Sequence, residues 1–155
     1  MEDFSEMFKK QEMRLGELDI HCNQITTEGF YKLMVCLKTN NKVRKLNVSK
    51  NMISSDLKMF KMVQNFLNSN KILEEFDVSY CNIDEKAGEL IGKGLRGNRN
   101  LQVFILKGNP IGAAIREIAR SFVENKKALC IKELDLSKCQ IECQHITHEF
   151  IEMIK

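Results

Sequence analysis

One eleven-residue pattern recurs five times along this 155-residue chain. The first copy reads Leu15-Gly-Glu-Leu18-Asp-Ile20-His-Cys-Asn23-Gln-Ile25. The others run Val43 to Ile53, Leu73 to Ile83, Leu101 to Ile111 and Ile131 to Ile141. Positions 1, 4, 6 and 11 are apolar in every copy, and position 9 is Asn23, Asn51, Cys81, Asn109 or Cys139. A unit this short cannot bury its apolar face by itself. It must stack on its neighbours, so the chain is expected to form a repeat array.

Within each copy, positions 4 and 6 alternate as in a strand: Leu18/Ile20, Leu46/Val48, Phe76/Val78, Phe104/Leu106 and Leu134/Leu136. They are expected to point inward, with the residues between them pointing out. Helical stripes follow. Phe30, Leu33, Met34 and Leu37 fall at i, i+3, i+4, i+7 behind a capping Thr26 or Thr27. Ser54 or Ser55 is expected to open the second helix, with Phe60, Val63 and Leu67 inward, and Asp84 the third, with Ala87, Leu90, Ile91 and Leu95. Ile115, Ile118, Ala119 and Phe122 mark a fourth, and Ile146, Phe150, Ile151 and Ile154 a fifth.

The pattern resembles the leucine-rich repeat, L-x-x-L-x-L-x-x-N/C-x-L. The copies begin at 15, 43, 73, 101 and 131, so the period alternates between 28 and 30 residues. That alternation is similar to the ribonuclease-inhibitor-like class. The resemblance implies an α/β solenoid of about five strand-helix units over residues 15–155, a horseshoe arc with a parallel sheet on the concave face and helices on the convex face. Residues 1–14 place Phe4, Met7 and Phe8 at helical spacing. They read as an N-terminal capping helix or as the end of a preceding repeat.

Charges of both signs are interspersed and the net charge is +3, which offers no basic stripe for nucleic acid. No apolar run is long enough to span a membrane. The first residues lack the basic and apolar regions of a signal peptide, so the six cysteines are expected to be reduced and cytosolic.

Three candidate motifs have plainer readings. Cys139, Cys143, His145 and His148 are zinc-ligand types, but Cys139 is already a repeat position. Gly92-Lys-Gly94-Leu-Arg-Gly97 matches a dinucleotide motif, yet it closes a helix instead of opening one and reads as a glycine-relaxed helix end. His21 beside Cys22 is a poor nucleophilic pair, because adjacent strand residues point apart. No catalytic set, cofactor site or metal site is therefore expected.

The outward positions form columns: Glu17, Lys45, Glu75, Val103, Glu133; then Asp19, Asn47, Asp77, Ile105, Asp135; then His21, Ser49, Ser79, Lys107, Ser137. A solvated face should be polar. Val103 and Ile105 break that rule beside Glu75, Asp77, Tyr80 and Lys107. These six are the candidate partner-binding residues. Arrays of the class occur in tropomodulins, Ran GTPase-activating proteins and ciliary axoneme subunits. The resemblance implies a non-enzymatic protein–protein interaction module, or a structural subunit of a cytoplasmic, cytoskeletal or ciliary assembly. Its partners would be other proteins, some covering the open repeat ends. The alternative is a regulator of a small GTPase. That reading needs a loop that presents a polar residue to the nucleotide, and turns such as Lys107-Gly108-Asn109-Pro110 are short.

Overall fold

The structure, a computed structural model, describes residues 15–125 and 130–154; the capping reading of residues 1–14 lies outside them. Five three-residue strands, β1 Glu17–Asp19, β2 Lys45–Asn47, β3 Glu75–Asp77, β4 Val103–Ile105 and β5 Glu133–Asp135, form one parallel sheet in sequence order. Each strand leads to a helix: α1 Thr27–Thr39, α2 Leu57–Ser69, α3 Glu85–Leu95, α4 Ile115–Glu124 and α5 His148–Met153. Short 3₁₀ turns, Gly112–Ala114 and Cys143–His145, precede the last two. The chain is thus a leucine-rich repeat solenoid with the expected α-helical units.

The core lies between sheet and helices. Phe30, Phe60, Phe76 and Phe104 are fully buried, and Phe76 and Phe104 stack with centroids 5.8 Å apart. Each buried aromatic ring contributes about 1.5–3 kcal/mol. The stripes of α1 to α3 are inward as expected, except that Leu90 is only half-buried. In α4, Ile115, Ile118 and Ala119 are buried and Phe122 half-buried. The fifth stripe is a correction. Ile146, Ile151 and Ile154 are exposed, because among the described residues no element packs beyond α5.

The second helix start is also corrected. Asp56, not Ser54 or Ser55, caps α2 by accepting from the Met59 N–H at 2.7 Å. The serines join units instead. Ser54 bonds Thr27 of the preceding unit, and Ser55 Oγ accepts from the Asp84 N–H of the next at 2.7 Å. Thr26 and Asp84 cap α1 and α3 as expected.

Buried turns are held by side-chain amides. Asn109 Oδ1 accepts from the N–H groups of Cys81 and Ile83, both at 3.0 Å, and its Nδ2 donates to the carbonyls of Val78 and Leu106. Asn51 does the same one junction earlier, for Asn23, Ile25, Ile20 and Val48. Cys81 and Cys139 use the same position differently: each thiol donates to a carbonyl of the preceding unit, Val48 and Leu106 respectively. A second asparagine series stands three residues before a copy begins. Asn40, Asn70 and Asn98 each accept from the first N–H groups of the next unit, at 2.7–3.0 Å.

Gly92, Gly94 and Gly97 are packing surfaces more than a relaxed helix end. A Cβ on Gly94 would lie 2.8 Å from the Gln64 carbonyl oxygen, and one on Gly92 2.9 Å from backbone atoms of Glu117 and Ile118. Backbone cannot rotate aside. Gly92→Ala and Gly94→Ala are each expected to lower stability by about 1–3 kcal/mol in urea unfolding, although alanine is the better helix former. Unchanged midpoints would mean the helices do not approach this closely.

Candidate interaction face

The three sheet positions align in the expected columns. Glu17, Lys45, Glu75, Val103 and Glu133 are register partners in turn, and so are Asp19, Asn47, Asp77, Ile105 and Asp135. In-phase units make this inevitable, because each strand starts at the same pattern position. Together these two columns hold six carboxylates against one lysine, Lys45. The Lys45 ammonium lies 3.0 Å from Glu75 and 3.5 Å from Glu17, and Glu75 holds its pKa above the usual lysine range. At the β1 edge His21 sits 2.6 Å from Asp19, and the His21 N–H keeps that carboxyl below its ordinary range. Asp135 is likewise lowered, by the Ser137 hydroxyl and N–H, with Lys107 adding to the effect.

The columns enclose a groove of 330 Å³ lined by both, from Glu17 and Asp19 across to Val103 and Ile105. Four of the six candidate residues, Glu75, Asp77, Val103 and Ile105, line it. Tyr80 and Lys107 do not. They stand past the strand ends, where the Tyr80 N–H donates to the Lys107 carbonyl at 2.8 Å. Position 8 adopts a left-handed backbone in every unit: Cys22, Lys50, Tyr80, Gly108 and Lys138. At Gly108 a side chain would run into the Tyr80 ring, so the glycine makes room for that ring along the rim. Glu17, Asp19, Lys45 and Asn47 belong to the groove although the apolar break alone does not point to them.

The third column is solvated only in part: His21 and Ser137 are exposed and Lys107 is half-buried. Ser49 and Ser79 are buried, at 5% and 6% exposure. Strand alternation ends at position 6, and past it the left-handed turn at position 8 shields a small serine only in the inner units, which have a neighbour on either side.

Position 5 has a second duty. Asp19, Asn47, Asp77 and Asp135 each accept, through a side-chain oxygen, the N–H two residues on, at 2.8–3.1 Å. This Asx turn closes the strand. Ile105 has no oxygen to offer Lys107. The fold uses an acceptor here in four units, and the fifth places a branched apolar side chain on the groove surface.

The remaining candidates do not converge. Cys139 is buried in the ladder and Cys143 is exposed. His145 accepts from the Glu142 N–H at 3.0 Å in a capping box, and His148 faces Glu152. Among the described residues no group of three His, Cys, Asp or Glu side chains is placed to hold a metal ion. Burial pushes the Cys81 thiol up to about 11. Iodoacetamide at mildly alkaline pH is therefore expected to label exposed Cys22, Cys130 and Cys143 first, with Cys81 and Cys139 reacting only on unfolding; prompt labelling of Cys81 in the folded chain would contradict the ladder.

A family model described as a leucine-rich repeat matches residues 15–34. Among solved structures, one titled Leiomodin-1 Actin-Binding Site 2 (ABS2) has a TM-score of 0.75 to this chain, covering 97% of it and 87% of its own length at 16% identity. No curated protein matches. The fold is that of a leucine-rich repeat array, and the likeness to leiomodin-1 is one of fold. No helix among the described residues is long and apolar enough to cross a membrane.

Proposed function

We propose that the chain is a non-enzymatic protein–protein interaction module, or a structural subunit of a larger assembly. Its concave groove takes a segment that carries positive charge around an apolar anchor. The observation that carries this reading is Ile105. It stands where four other units keep a strand-closing acceptor, and beside Val103 it makes the apolar centre of an acidic face. Six carboxylates repel phosphate backbones and attract Lys or Arg. The likeness to a structure named for an actin-binding site supports a cytoskeletal setting. The same reading puts the chain in the cytoplasm, in a cytoskeletal or ciliary assembly.

The test is affinity capture on the immobilised chain, with Ile105→Asn as the parallel column. Partners held by the groove are retained by wild type, released as ionic strength rises, and absent from the variant. Identical captures on both columns would move the interface elsewhere. Acceleration of GTP hydrolysis by a small GTPase on adding the chain would overturn the scaffold-only reading in favour of a GTPase regulator.

A further inference from the structure

The convex side carries a second surface of opposite charge. Glycines set how closely the helices pack. Gly94 and Gly97 bring α3 against α2, Gly92 brings it against α4, and Gly88 brings it against Ile111 and Ala114 in the turn before α4. Between α1 and α2 no such contact exists: α2 has no glycine, and Gly29 of α1 faces only Ile25 and Thr26. Bulkier side chains hold these two helices apart and leave a groove of 470 Å³ between them. Met34 and Phe66 are its buried floor. Tyr31 and Val35, 41% and 46% exposed, form an apolar lip.

Its rim is basic. Lys38 borders it from α1, and Lys58 and Lys61 from α2. Among the described residues none of these three has a carboxylate within 4.0 Å, so all three charges are open to a ligand. An apolar trough running between two helices, with unpaired cations along both sides, complements a helix with an apolar stripe flanked by acids.

We propose that this groove binds an acidic amphipathic helix of another protein. The array then offers two faces of opposite charge, and one chain can join two different partners.

The test uses the full chain and two labelled peptides built from alanine, leucine and one charged residue, with leucines at i, i+3, i+4, i+7. One peptide carries Glu beside the stripe and the other carries Lys. Fluorescence anisotropy is expected to show saturable binding of the Glu peptide, at least about tenfold tighter than the Lys peptide. Val35→Glu is expected to abolish it; the site is exposed, and circular dichroism checks the fold. Lys58→Glu/Lys61→Glu is expected to reverse the peptide preference independently, and Ile105→Asn to leave binding intact. No saturation by the Glu peptide, or equal affinity in wild type and both groove variants, overturns the proposal. A wild-type dimer in sedimentation that Val35→Glu converts to monomer would put a second copy there and overturn it. Binding that appears only in a Phe4→Ser/Phe8→Ser variant would assign the groove to the chain's own first residues, and would overturn it too.

Discussion

Replacing Asn109 with leucine is expected to remove more than about 3 kcal/mol of stability, because it leaves four buried backbone groups without their partner. Those groups are the N–H of Cys81 and Ile83 and the carbonyls of Val78 and Leu106. Leucine keeps asparagine's heavy-atom count and branching and leaves no cavity, so the main loss is polar. A typical domain is stable by only about 5–15 kcal/mol, and an array holds together through nearest-neighbour junctions. The junction between the third and fourth units is expected to fail first, and urea unfolding to broaden or split. Asn109→Cys should fall between wild type and leucine. A thiol can donate one bond to a carbonyl, as Cys81 does to Val48, but serves poorly as an acceptor for two N–H groups. Leucine within about 1 kcal/mol of wild type would show that the amide does not hold the turn.

Ile105→Asn separates fold from function more sharply than a charged replacement. Asparagine already occupies this column at Asn47, where its oxygen accepts from the Ser49 N–H at 3.0 Å. The variant restores that bond for Lys107 and gives up part of a half-buried apolar side chain. The two effects oppose each other at about 1 kcal/mol each, so stability is expected to stay within about 1 kcal/mol of wild type. Binding is not expected to stay. An apolar anchor at the centre of a charged face is worth about 2 kcal/mol or more, roughly a thirtyfold loss of affinity. Parallel urea unfolding and partner titration on the same preparations read both numbers. A variant that keeps full affinity would make Ile105 an accident of strand propensity.

The fold was legible because the repeat converts position into register. Once Leu18, Leu46, Phe76, Phe104 and Leu134 share a pattern position, parallel units place them side by side. The two sheet columns follow from the same step. Ser49 and Ser79 were misplaced because alternation says nothing of where a strand stops. Their burial depends on flanking units on both sides together with a left-handed turn that four non-glycine residues adopt without any residue-type signal. Tyr80 was grouped with the groove by nearness along the chain, yet that same turn carries it to the rim. Asn40, Asn70 and Asn98 were legible in principle, since they recur three residues ahead of the second, third and fourth copies. Their spacing lies outside the eleven-residue pattern and escaped it. The glycines of α3 were misread because their reason is a neighbouring helix, 2.8–2.9 Å from where a Cβ would stand.

Carboxylate footprinting of the partner complex tests the interface most directly. Carbodiimide labelling of the chain alone and bound is expected to show Glu75, Asp77, Glu133 and Asp135 protected by the partner, while Glu28 and Glu89 on the helices label equally in both states. Protection of the helix carboxylates, with the sheet columns labelled as fast as in the unbound chain, would contradict binding at the concave face.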